Sequence, residues 1–178
     1  MKNLIFRRLA AFSLDYLIIA AYALLLFGSS KVLNLKEMAL TPISGQLLGF
    51  FSLTLPVFFY FFLTEKSKSR ATIGKRVMNI SITSKTEKTK PKILYRNILK
   101  FFPWEVAHIG VHWIVFFSKS ENDEPIWVWF LLILPQIIMI AYLLSIIISK
   151  GESGIYDNIS NTKIIINQRT TSAIANAG

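Results

Sequence analysis

The sequence predicts an all-α polytopic membrane protein: a four-transmembrane-helix bundle with a small cytoplasmic two-strand cap and an interfacial amphipathic helix. Three observations predict it. Apolar residues make up 53% of the 178 residues and fall into runs long enough to cross a bilayer. The 20 Lys and Arg outnumber the 10 Asp and Glu, and all but Lys31, Lys36 and Lys119 lie in segments that one orientation puts in the cytoplasm. Two short stretches, residues 78–83 and 162–167, are rich in β-branched side chains and read as strands.

The first span is expected at residues 9–27, behind Lys2, Arg7 and Arg8. A cleaved leader is the competing reading, with Gly28, Ser29 and Ser30 as small residues at a cut. The run is too long for a leader core and carries Asp15 inside it, so a retained helix is expected. The second span, residues 45–63, holds Pro56 and ends in an aromatic cluster from Phe58 to Phe62, a composition typical of a membrane interface. Residues 65–100 form a basic cytoplasmic loop. It contains the first strand and, at residues 93–101, an amphipathic pattern in which Leu94, Ile98 and Phe101 recur at helical spacing. Pro103 then suits the first turn of a new helix, where its missing N–H costs nothing, so a short third span is expected at residues 103–118.

An acidic loop with Glu121, Asp123 and Glu124 leads to the fourth span, residues 126–149, with Pro135 and Gln136 near its middle. Residues 151–167 return to a glycine-bearing turn and the second strand. The transmembrane domain is thus expected to occupy residues 1–168, with a flexible tail at 169–178. Both termini are expected in the cytoplasm and the protein in the cell membrane.

Composition also excludes several classes. No cysteine is present, which removes disulfides, thiol nucleophiles and cysteine metal sites. A net charge of +10 would suggest nucleic acid in a soluble protein. Beside spans, the same lysines set topology and meet anionic lipid, so the expected partner is the bilayer, anionic lipids included, and not nucleic acid. No phosphate-binding glycine loop, G-x-S-x-G elbow or H-E-x-x-H helix occurs, and neither a cofactor nor enzymatic activity is expected. A membrane-embedded hydrolase using Glu105 and His108 would lack a recognisable nucleophile.

Three segments carry a family likeness. Arg7 to Asp15, with Arg8 at the start of the first helix and Asp15 inside it, resembles the opening signature of the RDD family of membrane proteins. Thr72-Ile73-Gly74-Lys75-Arg76 resembles that family's T-P-G-K-R segment, with Ile73 in place of proline. Tyr156 to Lys163 resembles its closing Y-D-x-x-x-G-T-[RK] stretch, with Asn161 in place of glycine. The resemblance implies a bacterial-type membrane protein of about four spans. Cation/proton antiport, proposed for some members, is an analogy at the level of the family.

Four ionisable residues inside predicted spans are candidate proton or cation sites: Asp15, Glu105, His108 and His112. A bare charge there costs roughly 2.5–3.5 kcal/mol unless it finds a partner or water. Asp15 reads either as an ion acceptor or as a buried partner that locks helices together. Glu105, His108 and His112 fall on one helix face, and read either as a relay or as a polar stripe that joins helices. They are too few ligands for a metal centre, and no metal is expected. Asp157 reads as a turn carboxylate or as the partner of Arg8 in a structural ion pair. The leading expectation is a small transport-type protein, oligomeric, moving protons or small monovalent cations through an acidic cavity in the inner leaflet, with Asp15 close to Glu105. The alternative is a non-transporting accessory or interaction protein whose intramembrane charges are structural.

Overall fold

The computed structural model describes residues 2–32, 41–87, 89–119 and 123–167. Glu121 of the acidic loop and the expected tail lie outside them. The fold is mostly helical. Helix α1 runs Lys2–Val32, α2 Pro42–Gly49 and α3 Leu55–Lys66, with a π-helical turn, Phe50–Thr54, joining the last two into one rod. Then come a short α4, Ile73–Val77, strand β1, Ile80–Ser84, the long α5, Ile93–Phe117, and α6, Ile126–Ile148. A short α7, Ile155–Ile159, and strand β2, Thr162–Ile166, close the described chain.

Among the described residues three helical segments are long and apolar enough to cross a membrane: Leu4–Ser29, Pro42–Lys66 and Ile126–Ile148. Helix α5 matches them in length, but Arg96, Lys100 and Glu105 dilute its apolar run, and composition alone does not mark it as a span. It also corrects the expected boundary at Pro103. The amphipathic stretch and the expected third span form one continuous helix with Pro103 in its interior.

A proline inside a helix strands the carbonyl four residues before it. Here a tyrosine from another helix takes that carbonyl. The Tyr142 hydroxyl of α6 donates to the Leu99 carbonyl at 3.1 Å, four residues before Pro103. The Tyr22 hydroxyl of α1 donates to the Ser52 carbonyl at 2.6 Å, four residues before Pro56. In a bilayer, where water cannot fill the gap, such substitutions are what keep a proline-bearing helix whole.

The two strands pair antiparallel as expected, with Ile80 opposite Ile166, Ile82 opposite Ile164 and Ser84 opposite Thr162. Ile80, Ile82 and Ile164 are buried with Leu4, Ala11 and Ile93 in an apolar core that lies under the start of α1. Only Ile164 of the three consecutive isoleucines is covered; Ile165 and Ile166 stay 38% and 39% exposed. The outer strand edges are partly occupied, since Ile82 N–H donates to the Arg70 carbonyl at 2.9 Å and Ile164 N–H to the Glu152 carbonyl at 2.8 Å. Filled edges keep so small a sheet from pairing with another chain. Helices α5 and α6 form a hairpin. Gly110 lets them approach closely, because an added Cβ would sit 2.9 Å from Leu132 Cδ2. Trp113 and Trp127 pack edge to face at the far end, 5.2 Å between centroids.

Candidate functional site

The cap end of the protein is built on an alternating chain of buried charges. Arg8 of α1 meets Asp157 Oδ2 of α7 at 2.5 Å. Asp157 Oδ1 accepts from Arg96 Nε of α5 at 2.8 Å, and Arg96 Nη1 reaches Glu65 Oε2 of α3 at 2.5 Å. Glu65 Oε1 in turn accepts from Lys75 of α4. Three cations and two carboxylates thus join five helices. Asn97 Nδ2 adds a bond to Glu65 at 2.9 Å, Thr162 Oγ1 one to Asp157 at 3.2 Å, and Gly154 N–H another at 2.9 Å. Tyr156 lies against both guanidinium groups, 5.9 Å from Arg8 and 5.2 Å from Arg96. Glu65 and Asp157 are fully buried, and every one of their carboxylate oxygens is engaged.

Burial by itself would raise the pKa of Asp157. The charges of Arg96 and Arg8 outweigh it, with help from Gly154 N–H and the Arg8 hydrogen bond, and hold it at about 2. For Lys75 the balance tips the other way: burial pulls its pKa down, against the upward pull of Glu65. A buried network of this kind contributes little net stability over an apolar replacement, but breaking one arm strands a charge at a cost of roughly 3–5 kcal/mol. The network ties five helices to one another.

Asp15 anchors a second joint, between α1 and α4. Its carboxylate accepts from Tyr60 at 2.7 Å, from Thr72 Oγ1 at 2.6 Å and from Gly74 N–H at 2.9 Å. Thr72 also caps α4, accepting from Lys75 N–H at 3.3 Å. Gly74 is required by space: a Cβ there would stand 2.2 Å from the Ala11 carbonyl oxygen. Ile73 keeps an N–H that a proline would lack and donates it to Tyr60 at 3.1 Å. Asn161 adopts φ +54°, the left-handed conformation that asparagine tolerates best after glycine, so the turn before β2 survives that exchange.

Glu105, His108 and His112 form a different cluster, toward the middle of the helices. Gln46 of α2 donates to Glu105 Oε2 at 3.0 Å. The rings of His108 and His112 lie 5.7 Å apart, and Trp104 packs on His108 at 5.1 Å. Both histidines press on glycines of α2. An added Cβ at Gly45 would meet His112 Nδ1 at 2.9 Å, and one at Gly49 would meet His108 Cε1 at 3.8 Å. The π-helical turn begins at the next residue, and such turns recur at functional sites. Three buried side-chain atoms here have no hydrogen-bond partner: the oxygens Gln46 Oε1 and Glu105 Oε1 and the ring nitrogen His108 Nδ1.

The structure therefore brings Arg8 to Asp157, and Glu105 to the histidine face. No hydrogen bond shared by Asp15 and Glu105 links them among the described residues: Asp15 accepts from Tyr60, Thr72 and Gly74, and Glu105 from Gln46. No group of three or more His, Cys, Asp or Glu with the geometry of a metal site occurs among the described residues. Glu65, Arg96, Lys75 and Gln46 escape a reading of the sequence. A signal was present for Glu65, one of two acids in the strongly basic residues 65–100 and the one at a helix end, yet nothing local names its partners.

A family model described as the RDD family matches residues 3–161. No curated protein and no solved structure matches the chain.

Proposed function

The chain belongs to the RDD family, and from that premise we propose that it is a transport-type membrane protein that moves protons or small monovalent cations past Glu105. One observation carries the reading: Gln46 Oε1 and Glu105 Oε1, on side chains bonded to each other, and His108 Nδ1, one helical turn further along α5, are buried without a hydrogen-bond partner. Unmade hydrogen bonds of this kind cost about 1–3 kcal/mol each, and a proton or a cation is what a carboxylate oxygen and an amide oxygen left unpaired in apolar surroundings would bind. Glu105 takes or releases the proton, Gln46 holds its other oxygen, and His108 and His112 extend the path along α5. Asp15, the fourth residue in the expected site, already has three donors and is assigned to holding α1 against α4.

In this reading α5 is the fourth span, the cap face is cytoplasmic, and the protein sits in the cell membrane among anionic lipids. Four helices enclose little space, so a homo-oligomer is the working unit.

The test is a pH-gradient assay in proteoliposomes with Na⁺, Li⁺ or K⁺ added. Cation-dependent proton flux is expected, and Glu105→Gln should abolish it while the protein stays folded, since glutamine keeps the Gln46 contact. A folded, reconstituted protein without flux for any of the three cations would sink the proposal. That outcome favours an accessory role, which the charge-paired cap network, read as a structural device, would suit.

A further inference from the structure

We propose that a groove on the cap, separate from the Glu105 cluster, binds a phosphate-bearing anion. The groove has a volume of about 850 Å³ and runs between the loop after α3, the exposed side of α4 and the outer side of the two-stranded sheet. Lys68, Arg70 and Arg76 line it, with Ser69 and Thr83 as hydroxyl donors and Ile165 as an apolar wall. None of the described residues lining it is acidic. Among the described residues the ion pairs use Glu65 and Asp157, and neither engages these three cations.

Two of the three cationic residues are also tied to the fold, Arg76 by its side chain and Arg70 by its backbone. Arg76 Nε donates to the Ala71 carbonyl at 3.1 Å, which ties the guanidinium to the fold at the groove. The Arg70 carbonyl accepts from Ile82 N–H at 2.9 Å, and this tie pins the residue beside β1. Arg70 adopts φ +46°, a conformation unfavourable for any side chain larger than asparagine. Strain accepted for an exposed arginine, where glycine would serve the turn better, fits a residue kept for its charge. Two guanidinium groups and an ammonium around one space match the tetrahedral oxygens of phosphate better than a planar carboxylate.

Two sources could supply that chemistry, an anionic phospholipid headgroup or a soluble phosphate. Position favours the lipid. The second candidate span ends at Lys66, and Lys68 and Arg70 follow within four residues, at headgroup level.

The test uses the full chain purified in a neutral detergent. Binding of short-chain phosphatidic acid, of phosphatidylcholine with the same chains, and of inorganic phosphate is measured for three proteins. These are the parent, the double variant Lys68→Gln/Arg70→Gln, and a control, Lys90→Gln/Lys92→Gln, which removes two exposed charges elsewhere in the basic segment. The groove predicts that the first variant loses about tenfold or more in affinity while the control stays within about twofold. If that pattern appears with phosphatidic acid and phosphatidylcholine binds weakly, the lipid is the source. The same pattern with inorganic phosphate, and no preference for phosphatidic acid, assigns a soluble ligand. Equal losses in both variants, or none in the first, would mean diffuse charge attraction or no site, and either overturns the proposal.

Discussion

At the scale of single residues, Asp157 offers a direct reading of the cap network. Its folded pKa of about 2 lies below that of a free carboxylate, so the unfolded chain binds the proton more readily. The stability this contributes is fully present above about pH 4 and is lost as pH falls toward 2, about 2 kcal/mol in all. Thermal melts in detergent should show that loss in the parent. Asp157→Asn, which no longer titrates, should lack this component of the acid dependence and start lower by roughly 3–5 kcal/mol, because Arg8 and Arg96 keep their burial and lose their counter-charge. An acid profile unchanged by the substitution would show that Asp157 is not held by the two arginines. Tyr156, packed against both guanidinium groups, should leave the profile's position unaltered when replaced by phenylalanine, since the ion pairs themselves remain.

At the scale of elements, the prolines explain why α3 and α5 stay whole. Tyr22 and Tyr142 each supply the donor that a proline withholds, one from α1 and one from α6. Tyr142→Phe should therefore cost about 0.6–1.7 kcal/mol in an unfolding titration in mixed micelles, the range of hydrogen bonds between membrane helices. It should cost nothing further in a Pro103→Ala background, where the Leu99 carbonyl regains its own N–H. Additive losses in the double variant would refute the compensation. The sequence could not display this device, and its failure at Pro103 has that cause: proline is a helix breaker locally, and the hydroxyl that rescues the helix comes from 39 residues further along the chain. Strand pairing was legible for the opposite reason. Two β-branched stretches with no other partner leave little choice, and residues 78–83 and 162–167 carry their own register in the isoleucines. The likeness to a known family led to Arg8, Asp15 and Asp157, whereas the orphaned acceptors around Glu105 depend on Gln46, an unremarkable residue until α2 is laid against α5.

At the scale of the whole molecule, connectivity supports a fourth crossing that composition does not mark. Helix α6 is long and apolar enough to span, and its end leads directly to Gly151, whose carbonyl accepts from Arg8 at the cap. The start of α6 then belongs at the far face. Helix α5 begins at the cap, where Arg96 is tied to both Asp157 and Glu65, and its end packs beside the start of α6 through Trp113 and Trp127. On the proposed reading a helix anchored at one face and finishing at the other would cross the membrane, and 25 residues, roughly 37 Å, are long enough for the ~30 Å hydrocarbon core. Its two cations lie in the part nearest the cap, where Arg96 meets the network and Lys100 lies over Phe61 at 3.4 Å, and Glu105 further along pairs with Gln46. The chain has no native cysteine, so single cysteines can map the faces cleanly. Placed at exposed Ser29 and Ser118, they should react in intact cells with a membrane-impermeant maleimide, while one at exposed Glu87 should react only after lysis. Protection at Ser118 with labelling at Ser29 would leave α5 on the cap side of the membrane. Labelling at Glu87 with protection at Ser29 and Ser118 would keep four crossings but turn the protein over, putting the groove and its cations outside the cell.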